Sequence, residues 1–190
     1  QGAVRAYVDD VIIASNCVKS HFILFKEVLR LLELQGLRVG VDKLKPMRLS
    51  VVYLGYIISA KGIAPDPAKQ QVISDWPLPT TKEHLHQWLG LTGYYRTLSK
   101  NFAHWSSILY PHVGLDAPDE VEWTPLMRKH FEEIKTELCS KILLSQPDPD
   151  KGYIVTADAS KYAIGAALMQ ENKDGVRVPI AFTGRKFTPT

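Results

Sequence analysis

The chain has 190 residues, is 45% hydrophobic and 23% charged, and carries a formal net charge of +3. This is ordinary globular material, enough for one large or two small domains, with no apolar run near membrane-span length, no signal peptide, and two distant cysteines, Cys17 and Cys139, that read as free thiols in a reducing compartment. The sequence has no initiating Met and no closing element after Thr190, so it reads as a segment of something longer.

Two adjacent carboxylates lie inside the first apolar run, Ala6-Tyr7-Val8-Asp9-Asp10-Val11-Ile12-Ile13-Ala14. Strands disfavour Asp, and two ionised carboxylates side by side repel each other, so the pair calls for a compensating cation. The run predicts a hairpin with strands Ala3–Tyr7 and Val11–Ala14 and both carboxylates at its tip. Hard oxygen ligands there suit Mg²⁺, while a solvated Asp-Asp turn also accounts for the pair by itself. Charge is unevenly spread: residues 1–65 carry nine Lys/Arg against five Asp/Glu. That basic bias permits a nucleic-acid partner without demanding one.

Ser20 is the expected N-cap of a helix in which Phe22, Phe25, Leu29 and Leu32 recur on one face until Gly36 ends the run. Alternation of Leu37, Val39 and Val41 with Arg38, Gly40 and Asp42 predicts a half-buried strand, broken by Pro46. Residues 51–58 form a second β-rich run, closed by a turn at Ala60-Lys61-Gly62. A short helix opens at Pro65-Asp66-Pro67 and runs through Trp76, before Pro77 and Pro79 interrupt.

Thr80 and Glu83 fit a capping box, which predicts a helix through Leu98 with Gly90 and Gly93 inside it. Each interior glycine costs roughly 1 kcal/mol relative to Ala, so something should require bare backbone there. Either a second helix packs close, or a nucleic-acid backbone approaches the face formed by His86, Gly90, Gly93, Tyr94 and Thr97. A further helix over residues 124–141 directs Phe131, Ile134 and Leu138 to a core. Three strands follow, at Tyr153–Asp158, Ala163–Met169 and Val178–Phe182, the last two joined by the turn Asn172-Lys173-Asp174-Gly175. Asp158 stands at or near a strand end, a position where Asp is usually a turn former or cap. His84 and His86 face different sides of their helix, and no phosphate loop or placed Ser nucleophile is present.

Five segments, in order, carry a resemblance. Tyr7-Val8-Asp9-Asp10 resembles the metal-binding box of reverse transcriptases, and Leu54-Gly55-Tyr56-Ile57-Ile58-Ser59 resembles the primer-grip hairpin. Trp76-Pro77-Leu78-Pro79 with Leu89-Gly90-Leu91-Thr92-Gly93-Tyr94-Tyr95-Arg96 is similar to the thumb of gypsy-type long-terminal-repeat retrotransposon Pol polyproteins. Glu122-Trp123-Thr124, Thr156-Ala157-Asp158-Ala159-Ser160 and Ile164-Gly165-Ala166-Ala167-Leu168 resemble the linker helix and the opening of a ribonuclease H domain. Three departures stand out: Leu44 where the family often has Cys, Thr97-Leu98-Ser99-Lys100 where it usually has a second Arg and a Pro, and Ala157 between Thr156 and Asp158.

The resemblance implies an α+β fold. It places the C-terminal part of a polymerase palm at 1–65, thumb and linker helices at 66–145, and the first strands of a ribonuclease H-like domain at 146–190. It implies RNA-directed DNA polymerase and ribonuclease H chemistry with Mg²⁺ or Mn²⁺. Asp9, Asp10 and Asp158 would be catalytic metal ligands, with Tyr7 and Lys43 near the incoming nucleotide. Leu54, Gly55, Tyr56, His86, Gly90, Gly93 and Tyr94 would contact nucleic acid. The implied partners are an RNA template, a DNA primer, an RNA–DNA hybrid and deoxynucleoside triphosphates, with no membrane, in an intracellular setting such as a cytoplasmic virus-like particle or the nucleus. Two incomplete carboxylate sets predict a fragment inactive by itself. The alternative is a degenerate or domesticated, non-catalytic nucleic-acid-binding module.

Overall fold

In the computed structural model, which describes residues 2–161 and 163–187, the chain divides into two compact units between Ser59 and Ala60. The mixed α+β composition expected from sequence is present in both.

The first unit opens with β1 (Gly2–Tyr7) and β2 (Asp10–Ser15), paired antiparallel from Gly2↔Ser15 to Tyr7↔Asp10. Val8 and Asp9 form the two-residue loop, and Asp10 is the first residue of β2 rather than part of the turn. Val8 has φ 51°, a left-handed conformation that costs a β-branched residue on the order of 1–3 kcal/mol. Helix α1 (Val18–Leu34) packs on this hairpin. Its N-cap is Cys17, whose Sγ accepts from the Ser20 N–H at 3.5 Å, so the helix begins before the expected Ser20. At the other end Gly36 (φ 71°) donates to Glu33 O and Leu37 donates to Leu32 O, the paired bonds of a Schellman stop.

The strand expected at residues 37–42 is absent. Residues 37–40 are irregular and Val41–Lys43 is a single 3-10 turn. Leu37 and Val41 are exposed, and alternation alone cannot hold a strand that has no neighbour to take its backbone hydrogen bonds. The run at 51–58 is a hairpin of β3 (Ser50–Tyr53) and β4 (Tyr56–Ser59). Leu54 (φ 49°) and Gly55 (φ 73°) make its turn, the positive-φ pair of a type I′ loop. Among residues 2–59 none is buried.

The second unit holds the core. It begins with β5 (Gly62–Pro65), which bridges to Leu144 through Ile63. Helix α2 (Pro67–Asp75) follows, capped by Asp66 with Pro67 in the first turn. Helix α3 spans Lys82–Tyr94, so it stops short of Leu98, and Arg96–Leu98 is a separate 3-10 turn. Its N-cap is Thr81, which accepts from His84 N; Thr80 instead receives Val121 N on its carbonyl. The capping-box reading was therefore one residue early, because the 80–82 segment pairs with residues 119–121.

Sequence reading missed helix α4 (Phe102–Leu109), which buries Phe102, Ser106, Ser107 and Leu109. Helix α5 (Pro125–Cys139), capped by Thr124, buries Met127, His130, Phe131, Ile134 and Leu138. The Trp88 and Phe131 rings lie 4.3 Å apart, and Trp123 meets Phe131 edge-on at 5.5 Å. Lys135 Nζ donates to Trp76 O and Gln70 Nε2 to Leu138 O, tying α2 to α5.

The three expected strands are present as β6 (Ile154–Ala159), β7 (Ala163–Glu171) and β8 (Arg177–Lys186), which form an antiparallel meander. Its second turn is held by Asn172 Oδ1, which accepts from Asp174 N and Val176 N, and by Gly175 at φ 74°. Helix α4 lies on β7 and β8. Two facing glycines, Gly165 and Gly184, admit it: a Cβ on Gly165 would stand 3.1 Å from Lys100 O, and one on Gly184 would stand 2.8 Å from Ala103 Cβ.

Candidate catalytic carboxylates and nucleic-acid face

In the first unit, local chemistry brings a group of candidate residues to one exposed hairpin end. Asp9 occupies the loop and Asp10 the first strand position, both exposed. Tyr7, across the hairpin from Asp10, is 61% exposed. Tyr53 Oη donates to Asp10 O at 3.4 Å, so the β3–β4 hairpin reaches the carboxylate hairpin. Leu54 and Gly55 form the β3–β4 turn, and Tyr56 begins β4. Lys43 ends an exposed 3-10 turn in the same unit.

The donor chemistry at Asp9 and Asp10 suits a hard divalent cation. The number of donors falls short: among the described residues no group of three His, Cys, Asp or Glu side chains is placed to hold a metal. No helix there is long and apolar enough to cross a membrane.

In the second unit, His86, Gly90, Tyr94 and Thr97 are all exposed, at helical spacing, with Gly93 half-buried beside them. The two glycine explanations now separate. A Cβ on Gly90 would meet nothing within 4 Å, and one on Gly93 only Tyr110 Oη and Phe102 Cζ at 3.8 and 3.9 Å. No packed helix requires bare backbone at Gly90.

Asp158 is the fifth residue of β6, exposed, and pairs with Gly165, which pairs with Gly184. Directly paired residues share a sheet face, so Asp158 projects from the face on which the start of α4 lies. Two residues on, Ser160 Oγ and His104 Nδ1 of α4 share a hydrogen bond at 3.4 Å.

Two titratable groups of the same unit, His130 buried and Glu137 half-buried, were missed by sequence reading. His130 is buried, shares a 2.9 Å bond with Glu133 and packs edge-on to His104. Burial holds its imidazole below the usual range against the opposing pull of Glu133. Glu137 accepts from Ser99 Oγ and from the backbone N–H groups of Lys100 and Asn101, and burial raises its carboxyl. It thus ties the segment leading into α4 to α5. Glu137 lies in the last turn of α5, which ends at Cys139 rather than at the expected residue 141, and nothing in its own neighbourhood marks it.

Residues 123–190 match the RNase H-like domain found in reverse transcriptase. Over 97% of its length the chain is 33% identical to the retrovirus-related Pol polyprotein from transposon opus of Drosophila melanogaster, covering 19% of that protein. It is 34% identical to the corresponding polyprotein from transposon gypsy, over 88% of the chain and 17% of the polyprotein. The chain thus spans about a fifth of the curated relatives it matches. Among solved structures it is similar to a foamy viral protease-reverse transcriptase in complex with double-stranded DNA, at TM-score 0.81 and 26% identity over 97% of this chain and 32% of that one. A structure of the foamy viral enzyme with an RNA/DNA hybrid matches at TM-score 0.77 and 26% identity, over 97% of this chain and 25% of that one.

Proposed function

The chain belongs with the retrotransposon Pol polyproteins, as a reverse transcriptase and ribonuclease H-like region of them, and from that premise we propose that it carries part of an RNA-directed DNA polymerase palm, its thumb, and the opening strands of the attached ribonuclease H. The observation that carries the reading is the exposed Asp9–Asp10 pair at the end of a strand hairpin.

Asp9 and Asp10 would hold Mg²⁺ or Mn²⁺ together with carboxylates supplied from other strands, and the bound metal would supply activation of the attacking oxygen and charge neutralisation at the leaving group. Lys43 assists at the incoming triphosphate, beside Tyr7. Leu54, Gly55 and Tyr56 position the primer end. His86, Gly90, Gly93 and Tyr94 track the template–primer duplex through its shape and backbone, which is what a sequence-indifferent copying enzyme needs. Asp158 contributes the first carboxylate of the nuclease that hydrolyses RNA in an RNA–DNA hybrid. The setting is intracellular, where template RNA, primer and deoxynucleoside triphosphates meet.

In a longer Pol protein that includes this chain, Asp9→Asn abolishes Mg²⁺-dependent primer extension and spares hybrid cleavage, and Asp158→Asn does the reverse. Extension that survives Asp9→Asn removes the assignment. The 190-residue chain alone extends no primer and cleaves no hybrid, because each described carboxylate set is short of a two-metal site. Mg²⁺-dependent extension by it above an Asp9→Asn control overturns that expectation.

A further inference from the structure

We propose that one backbone phosphate of a bound nucleic acid seats in the small concavity where the Arg96–Leu98 turn meets β8. This rests on the polymerase–nuclease reading and adds to it a contact that holds the hybrid in register with Asp158. The concavity has a volume of about 90 Å³ and is lined by Arg96, Thr97, Ser99, Phe102, Phe182 and Thr183, with Gly184 and Ala103 beside them. A water occupies roughly 30 Å³ of liquid, so the space admits one phosphate and excludes a nucleotide.

The donors suit that occupant. Arg96 is exposed, and among the described residues its guanidinium pairs with no carboxylate. Its planar fork matches a phosphate's oxygens with two parallel N–H donors. Thr97 and Thr183 add exposed hydroxyls. The carboxylate that reaches this corner, Glu137, is engaged by Ser99 Oγ and the Lys100 and Asn101 amides. The two segments that build the wall, residues 96–109 and 176–187, carry Arg96, Lys100, Arg177, Arg185 and Lys186 and no Asp or Glu. Arg177, at the far end of β8, is paired with Glu171; the cations left near the concavity gather a polyanion.

Position supplies the rest. Thr97 ends the exposed row His86, Gly90, Tyr94, so a strand lying along α3 is led to the concavity. Gly184 ends the cross-strand row Asp158–Gly165–Gly184. The two ends of that row are two strand spacings apart, roughly 10 Å, and because Lys100 O and Ala103 cover it between them a strand reaches both ends only by passing over the start of α4.

The test uses the 190-residue chain and a short, blunt RNA–DNA hybrid, with binding read by fluorescence anisotropy across a salt series. Arg96→Ala should weaken binding about tenfold and flatten the slope of log K against log salt by about one charge. Arg96→Lys should restore the slope while recovering only part of the affinity, since it keeps the charge and loses the fork. Thr183→Val should weaken binding without changing the slope. A second readout follows the backbone amides of Thr97, Thr183 and Gly184 by NMR: they should shift with hybrid and not with inorganic phosphate at matched ionic strength. Equal slope and affinity in wild type and Arg96→Ala overturn the site, as does absence of hybrid binding by the wild-type chain or a response to inorganic phosphate alone. The polymerase reading is decided separately by Asp9→Asn, so the two can fail independently.

Discussion

Replacing Gly90 by Ala separates folding from nucleic-acid contact at a single atom. Gly90 lies inside α3 and is exposed, and an added Cβ finds no atom within 4 Å. The methyl therefore brings no clash and only the difference in helix propensity, roughly 1 kcal/mol in favour of Ala. For a chain of this size that corresponds to about 2–4 °C in melting temperature. If a duplex backbone approaches this face, the same methyl intrudes on it, and an intrusion of that size costs on the order of 1–2 kcal/mol, roughly tenfold in dissociation constant. The expected phenotype is a more stable protein that binds its duplex less well. Urea denaturation at constant m-value gives the first quantity, and anisotropy with a labelled template–primer gives the second. Gly90→Val should weaken binding further and return the stability gain, because a β-branched residue loses rotamer freedom in a helix. A loss of stability in Gly90→Ala with unchanged duplex affinity refutes the reasoning, since the glycine would then serve packing.

Gly184→Ala should behave in the opposite way, destabilising by about 1–3 kcal/mol in urea, because its Cβ would stand 2.8 Å from Ala103 Cβ and 3.1 Å from Ile164 O; a neutral result shows that α4 slides freely on the sheet. Thr81→Ala should cost about 1 kcal/mol by loss of the helix cap, whereas Thr80→Ala, whose carbonyl alone is engaged, should cost little; equal costs restore the earlier capping assignment. His130 is held below the ordinary 6.5 by burial, with Glu133 opposing and His104 and Lys129 adding to the downward shift. The unfolded chain then binds the proton more readily, so this contribution is full above pH 6.5 and is lost as pH falls through that value toward the folded pKa. Urea midpoints at pH 7.5 and 5.5 should differ more for wild type than for His130→Gln, and equal differences reject the assignment.

Much of the local architecture was already determined by neighbouring residues. Asp-Asp between two apolar β-branched stretches marked a hairpin end, Gly36 marked the stop of α1, Asp66-Pro67 marked the start of α2, and Asn172 to Gly175 marked the turn between β7 and β8. Each of these signals acts within a few residues, through a fixed φ, a cap or a side chain returning to its own backbone. The three carboxylates were legible for the same reason, because an acid among strand residues stands out by type alone. Other features depended on partners far away in the chain. Residues 37–42 alternate correctly and still form no strand, since pairing needs a neighbour that the pattern does not encode. Thr81 rather than Thr80 caps α3 because residues 119–121 take hold of the segment. Glu137 holds the Ser99–Asn101 segment, more than 35 residues before it, and its carboxyl is shifted by desolvation that no local pattern records. Gly165 and Gly184 acquire their meaning only where α4 presses on the sheet. Periodicity and capping are properties of the chain itself, whereas burial, close approach and the accessibility of Arg96 are properties of the surfaces that meet it, and only the folded structure supplies those.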